Sequence, residues 1–187
     1  IFYNCWGLAC KLTIPSTVTV IDCLCFFNCT NLQGSLIIPK SVTEIGSYAF
    51  YDCKKLTGQL ILPDSVESIG EYCFCGCIGF DGSFVLSKKL KIISDNCFYG
   101  CKNLKGPITF PNILESINRC AFYNCANLNG SLIIPDSVET LGTECFSGCI
   151  CFTGSLHIPN SIQSIDGCFA YCNGLSGSLT IPESVTE

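Results

Sequence analysis

The chain has 187 residues, a net charge of −5 and 18 cysteines. Its basic residues cluster only at Lys54-Lys55 and at 87–91, far short of the positive stripe that nucleic-acid binding requires, so nucleic acid is not an expected partner. No apolar run approaches the roughly 20 residues of a membrane span, so we expect no membrane insertion within this segment. The chain begins with Ile and has no Met, which predicts that it is a piece of a longer protein.

A repeat of 24 residues organises the sequence from one end to the other. The units begin near Leu12, Leu36, Leu60, Phe84, Ile108, Leu132, Leu156 and Leu179, and one residue is lost near Gly167. Residues 1–11 match the tail of an earlier unit, and 179–187 match the head of a further one. The sequence therefore predicts a single domain over 1–187 that is open at both ends, with flanking repeats of the same chain as neighbours.

Apolar residues recur at eight positions of the unit in nearly every copy. Position 15 is Phe without exception, in Phe2, Phe26, Phe50, Phe74, Phe98, Phe122, Phe146 and Phe169. A unit of 24 residues cannot bury eight such side chains alone, whereas stacked units cover one another's faces. This is the logic of a solenoid, in which equivalent positions meet from turn to turn.

Each unit contains signals for three short elements. The opening L-x-I alternates with period two and predicts a strand whose first and third residues point inward, and Pro at position 4 ends it. V-x-x-I at positions 7–10 predicts a second extended or turn segment. C/A-F-x-x-C at positions 14–18 has the spacing of one helical or 3₁₀ turn. Gly at position 23 marks the corner back into the strand.

These elements predict an α/β-type solenoid of about eight stacked 24-residue coils, with a parallel β-sheet face and short helical or 3₁₀ turns. The motif I-P-x-S-V-x-x-I-G-x-x-A/C-F-x-x-C-x-x-L, as at 38–56, resembles the BspA-like, Treponema-type leucine-rich repeats of surface antigens. The resemblance covers essentially the whole chain and implies a non-enzymatic protein that binds host or matrix proteins or other cells. The unit that begins at Phe84 departs from the motif: Ser87 stands where Pro is expected, and Lys89 stands where Ser is expected.

Thirteen of the 18 cysteines fall into two columns of the repeat. Position 18 is always Cys, in Cys5, Cys29, Cys53, Cys77, Cys101, Cys125, Cys149 and Cys172. Position 14 holds Cys25, Cys73, Cys97, Cys145 and Cys168, and exchanges with Ala49 and Ala121. Exchange with Ala is typical of a small core filler, so we expect stacked free thiols. Disulfides between some of them remain an alternative, as does zinc at 73–77, although that segment lacks a second chelating pair.

Residues for catalysis or for a cofactor are scarce. His157 is the only histidine, and it stands at position 2, where the other units carry β-branched residues. A repeat supplies the same residues in every coil, whereas an enzyme needs one unique constellation. We therefore predict no enzymatic activity, no cofactor and no metal. Asn28 begins the only glycosylation sequon, but its middle residue is the core-column Cys29, which argues against its use.

Two surfaces are candidates for binding a protein partner. The first is the strand ridge, formed by the outward-pointing position 2 in Ile37, Ile61, Val85, Thr109, Ile133 and His157. Solenoids commonly bind partners through such a strand-lined face, although β-propensity on a solvated sheet also accounts for these residues. The second, ranked lower, is the tyrosine edge of Tyr48, Tyr51, Tyr72, Tyr99 and Tyr123, because tyrosine is a favoured interface anchor.

Two functions from different classes fit the sequence. The first is a protein-binding or adhesion module of a BspA-like surface protein, secreted or at the cell surface, that binds its unidentified partner through the strand ridge. The second is an intracellular structural repeat protein, docked on a cytoskeletal or other large assembly. The many cysteines and the single sequon suit the second, because thiols persist in a reducing compartment.

Overall fold

The computed structural model describes residues 2–186 and shows a parallel β-solenoid of about six stacked coils. This part of the chain contains strands and turns but no helix. Its strands are β1 (Val20–Ile21), β2 (Gly34–Ser35), β3 (Glu44–Ile45), β4 (Leu56–Ile61), β5 (Ser68–Ile69), β6 (Phe80–Val85), β7 (Ile92–Ile93), β8 (Ser116–Ile117), β9 (Gly130–Ile133), β10 (Thr140–Leu141) and β11 (Phe152–His157). The expected number of about eight coils is wrong, because the segments at the two ends supply only parts of a coil.

The longer strands form the predicted parallel face. β4 pairs with β6 so that Leu60 lies opposite Phe84 and Ile61 opposite Val85, which puts equivalent positions of successive coils side by side. The six-residue strands β4, β6 and β11 begin at position 21, four residues before the unit's predicted start. The register shifts between Gly58 and Leu60, and Gly58 has a φ of 80°. The glycine predicted as a corner is therefore a bulge inside the strand.

A proline interrupts this face between β6 and β9. Pro107 occupies position 24, where other units carry Ser or Gln, and it has no N–H to donate to a ladder. Only isolated bridges, Ser83 with Lys105 and Gly106 with Leu128, join the coils at this point. The strand face is consequently divided into the sheet β2-β4-β6 and the pair β11-β9.

The V-x-x-I segments, which were predicted to be extended or turns, form a second set of parallel sheets. β1, β3 and β5 pair in register, and so do β7, β8 and β10. In each of these six strands the second residue is buried, as in Ile45 and Ile93. The first residue points to solvent in five of them, the exception being the half-buried Ser116. The apolar positions 3, 7 and 10 therefore close the core from this side.

The C/A-F-x-x-C segment is a turn, and its prediction as a helical or 3₁₀ turn is wrong. Positions 13 and 17 have positive φ, as in Leu24 (60°) and Asn28 (55°), and left-handed residues end a helix. The backbone N–H groups of Leu24, Phe26 and Asn28 instead donate to carbonyls of the next coil at 2.7–2.9 Å. The turn is thus a third ladder between coils, and this accounts for its backbone hydrogen bonds.

The phenylalanines of position 15 form a continuous stack through the core. Neighbouring rings from Phe2 to Phe169 lie 5.3–6.1 Å apart between centroids with interplanar angles of at most 12°. The rings of Phe50, Phe74, Phe98, Phe122 and Phe146 are fully buried. Offset stacking at this distance is favourable beyond the burial of area, so the predicted column is confirmed as the spine of the core.

The cysteines of position 18 connect each coil to the one before it. The thiol of Cys77 donates to the carbonyl of Phe50 at 3.0 Å, and Cys101 donates in the same way to Phe74 at 3.0 Å. The same bond recurs at Cys29, Cys53, Cys125, Cys149 and Cys172. Alanine could fill this space but could not donate, which explains why Cys alternates with Ala at position 14 but not at position 18. All eighteen cysteines are thiols in the structure.

The departure at Ser87 is compensated within the core. In three other coils the serine of position 6 donates to the preceding coil: Ser41 to the carbonyl of Val18 at 2.6 Å, Ser161 to that of Val138 and Ser184 to that of Ile162. Lys89 holds that position here and points outward to Glu67. Ser87, in place of proline, donates to the carbonyl of Val66 at 2.6 Å and restores the missing bond.

Candidate functional site

The strand ridge points into solvent along its whole length. Ile37 is 68% exposed, Ile133 is 52% exposed and Val85 is 46% exposed, which is unusual for large aliphatic side chains of a sheet. Ile61, Thr109 and His157 are exposed as well. Alternation along each strand produces this arrangement, because positions 1 and 3 enter the core and leave position 2 outside.

Pro107 divides the ridge into two parts. Ile37, Ile61 and Val85 form the first, on coils joined through β4 and β6. Ile133 and His157 form the second, opposite each other on β9 and β11. Thr109 lies between them outside any strand. The structure therefore brings together all six predicted residues in one column, four of them within strands, since Ile37 also lies outside any strand.

Polar groups border the ridge on both sides. Ser83 donates to the side-chain oxygen of Gln59 at 3.4 Å, and Asp81 accepts from the backbone N–H of Gly58 at 2.9 Å. On the other side a groove of about 370 Å³ runs between Ile133 and His157, past Pro135. An apolar strip with a polar rim is the usual composition of a protein interface.

His157 forms a pair with Asp136 of the preceding coil. Its Nε2 lies 3.0 Å from a carboxylate oxygen, and both side chains are exposed. Position 5 of one coil thus lies beside position 2 of the next. Among the described residues no hydroxyl or thiol forms a hydrogen bond with this ring, so the pair lacks the nucleophile of a triad.

The tyrosine edge is two clusters of stacked rings. Tyr48 stacks on Tyr72 at 4.8 Å between centroids and contacts Tyr51 at 5.8 Å. Tyr99 stacks on Tyr123 at 4.8 Å. This stacking covers one face of each of these rings. The clusters come from columns 13 and 16 of the repeat.

Most of the buried thiols are poor nucleophiles in this structure, the exception being Cys168, whose pKa is lowered by its hydrogen bond with Cys145. Burial raises the pKa of Cys75 to about 12 and that of Cys172 to about 11. It raises the pKa of Cys73, Cys97 and Cys125 well above the ordinary value. A thiol that stays protonated at neutral pH neither attacks a substrate nor ligates a metal. Cys10 and Cys23 are the fully exposed ones.

The described residues, including the segment 73–77, hold no group of three or more His, Cys, Asp or Glu side chains placed to bind a metal ion. Within residues 2–186 no helix has the length and hydrophobicity needed to cross a bilayer. The strand ridge presents aliphatic side chains in a row, bordered by hydroxyl, amide and carboxylate groups.

Comparison with known sequences identifies the repeat. The BspA type leucine rich repeat region, in six copies, matches residues 1–129 and 82–187, which together span the chain. The chain belongs to the BspA-type leucine-rich repeat family. No curated protein sequence matches it.

Solved structures share the BspA-type fold. A leucine-rich repeat protein of Treponema pallidum is 28% identical with a TM-score of 0.68, over 92% of this chain and 74% of that one. A leucine-rich repeat protein of Bacteroides ovatus is 25% identical with a TM-score of 0.65, over 94% of this chain and 49% of that one. One from Eubacterium ventriosum is 25% identical with a TM-score of 0.57, over 94% and 40%. This chain thus spans half or less of the last two.

Proposed function

We propose that this protein is a non-enzymatic recognition module that binds another protein through the strand ridge, at the cell surface. The observation that carries the proposal is the exposed aliphatic column of Ile37, Ile61, Val85 and Ile133. Soluble proteins seldom expose such side chains in a row unless a partner covers them. Membership in the BspA-type family supports a binding role and a surface location.

The geometry of the ridge favours an extended partner. Successive members stand one coil apart, about 4.8 Å, so a partner that lies along the axis meets the same chemistry at every step. The backbone ladders hold these side chains on a rigid support, so little order is lost on binding. The polar rim at Gln59, Asp81 and Ser83 supplies hydrogen bonds around the apolar strip.

Introducing negative charges into the strand ridge tests its role in binding. The triple variant Ile37→Glu, Ile61→Glu, Ile133→Glu should reduce adhesion of protein-coated beads to immobilised extracellular matrix and to cultured cells at least about tenfold. The physical reason is that three carboxylates cannot be desolvated against an apolar partner surface. Bead counts after washing measure the adhesion, and the fold is checked by circular dichroism.

The matched control places the same three charges on the opposite face. Val20→Glu, Ile92→Glu, Thr140→Glu changes position 9, where Val20 and Ile92 are 42% and 47% exposed and where Glu44 already occurs. Adhesion of this variant should equal that of the wild type. Equal adhesion of the ridge triple and the control, or no adhesion of the wild type, would refute the strand ridge as the binding face.

The thiols favour a second candidate, an intracellular structural repeat protein. The hydrogen bonds from position 18 require reduced cysteines, and a reducing compartment maintains them. Protein taken directly from its cells and alkylated under denaturing conditions should then react at all eighteen cysteines. Mass spectrometry counts the labels. Unlabelled, oxidised pairs would instead favour the surface location.

A further inference from the structure

The aromatic column of position 16, which runs from Tyr3 to Tyr123, is interrupted at Cys75. Successive coils carry Tyr3, Phe27, Tyr51, Cys75, Tyr99 and Tyr123 at this position. Tyr51 stacks on Phe27 at 4.9 Å between centroids, and Tyr99 stacks on Tyr123 at 4.8 Å. One face of each ring is covered by this stacking. The other face of Tyr51 and the other face of Tyr99 lie on either side of Cys75.

Backbone hydrogen bonds fix the distance between these two tyrosines. The N–H of Asp52 donates to the carbonyl of Cys75 at 2.8 Å, and the N–H of Gly76 donates to the carbonyl of Tyr99 at 2.8 Å. Tyr51 and Tyr99 are therefore held two coil steps apart, or about 10 Å along the axis. The backbone hydrogen bonds between coils therefore fix the width of the gap between the two tyrosines.

The same column shows what fits such a gap. Phe27 lies between Tyr3 and Tyr51, at 4.9 Å from each ring centroid and with interplanar angles of 9° and 13°. Two coil steps thus accommodate one six-membered ring in stacked contact with both neighbours. Cys75 has only a thiol in the equivalent place, so the ring that Phe27 supplies in its own coil is missing here.

A third tyrosine borders the gap. Tyr48 contacts Tyr51 of its own coil at 5.8 Å, and Tyr72 stands in the same relation to Cys75, three positions earlier on the same turn. Tyr72 is itself stacked on Tyr48 at 4.8 Å. The base is the thiol of Cys75, which is buried and uncharged because burial raises its pKa to about 12. The walls are aromatic and the base is apolar.

We propose that this gap, the Cys75 slot, binds a single aromatic ring supplied by a Phe or Tyr side chain of a protein partner. The ring stacks between Tyr51 and Tyr99 in the place that Phe27 occupies between its own neighbours. The net charge of −5 disfavours a nucleotide, whose phosphate would be repelled. The slot lies on the turn side of each coil, away from the strand ridge, and does not depend on the function proposed for that ridge.

Titration with a small probe tests the slot. N-acetyl-tyrosine amide should shift the NMR signals of Tyr51, Cys75 and Tyr99 in the wild type and equally in Cys75→Ala, which leaves the slot open. Cys75→Tyr supplies the missing ring from within and should abolish these shifts. Tyr99→Leu removes one aromatic wall and should weaken binding at least about threefold, since a stacked ring pair contributes to affinity beyond its area.

Each result decides for or against the slot. Binding to Cys75→Tyr as to the wild type, equal shifts from N-acetyl-leucine amide, or tighter binding of adenosine monophosphate would each overturn the proposal. So would the absence of any shift in the wild type at millimolar probe. If Cys75→Tyr loses the dispersed spectrum of a folded protein, Tyr99→Leu provides the decision, because that residue is 37% exposed and its replacement leaves the core intact.

Discussion

Phe98→Ala should destabilise the protein by roughly 3–5 kcal/mol, the range observed when a buried phenylalanine is truncated. The ring of Phe98 is fully buried, stacks on Phe74 at 5.6 Å and on Phe122 at 5.3 Å, and meets the edge of Phe84 at 4.9 Å. Its removal leaves a cavity that the ladders on three sides prevent from closing. Urea unfolding followed by circular dichroism measures the free energy of unfolding.

Phe2→Ala is the matched control for this loss. Phe2 belongs to the same column, but it is 47% exposed and stacks on Phe26 alone, at 5.5 Å. Its truncation should cost less than about 1.5 kcal/mol, because little area returns to water. Equal losses for Phe2→Ala and Phe98→Ala would contradict the phenylalanine column as the spine of the core.

Stability should fall steeply above about pH 9. Burial raises the pKa of Cys172 to about 11, that of Cys75 to about 12, and those of Cys73, Cys97 and Cys125 well above the ordinary value. In the unfolded chain these thiols ionise near pH 9, so between about pH 9 and 11 the unfolded state releases protons that the folded state keeps. Each such thiol costs about 1.4 kcal/mol per pH unit in this window and nothing below it.

The summed loss from several buried thiols reaches the whole stability of an ordinary domain within one or two pH units. Urea unfolding between pH 7 and pH 10.5 measures the slope. The control is Cys73→Ala, Cys97→Ala, because position 14 already accepts alanine at Ala49 and Ala121. It should lower the slope by two protons, or about 2.7 kcal/mol per pH unit. An unchanged slope would mean that these thiols do not cause the alkaline loss.

The core could be predicted from the sequence because, in a solenoid, the buried positions carry the same residue types in every repeat. Phe50 and Cys53 are buried because position 15 and position 18 hold the same residue type in every coil, and only an interior shared by all coils requires that. The strand ridge followed from alternation with period two. Exposure of Ile37 and Ile133 is confirmed, whereas their binding role stays a prediction.

The turn was misassigned because the i, i+1, i+4 spacing of its apolar residues fits a helix equally well. Position 17 carried a usable signal, since Asn28, Asp52, Gly76, Gly100 and Asn124 are residue types that tolerate positive φ. Position 13 carried none, because it also holds bulky residues such as Leu24 and Tyr72. Their left-handed backbone is imposed by the hydrogen bonds to the next coil, and pattern within one unit cannot show that.

Other features of the structure depend on how neighbouring coils fit together. The proline at position 24 could have predicted the interruption of the strand face, but the bulge at Gly58 depends on how two neighbouring coils fit together. The pair of His157 with Asp136 joins residues 21 apart in different coils. Contacts of this kind follow from the offset between coils, which the repeat length alone does not give.

The three ladders between coils have a consequence for how such a protein can change in length. Because each coil bonds only to its two neighbours, and through the same atoms every time, inserting or deleting 24 residues recreates identical junctions on both sides of the splice. Recombination within the gene can therefore lengthen or shorten the molecule in whole turns while leaving its interior intact. A frame error of any other size must be absorbed locally, as in the last full coil, where two residues instead of three separate Ile165 from Cys168.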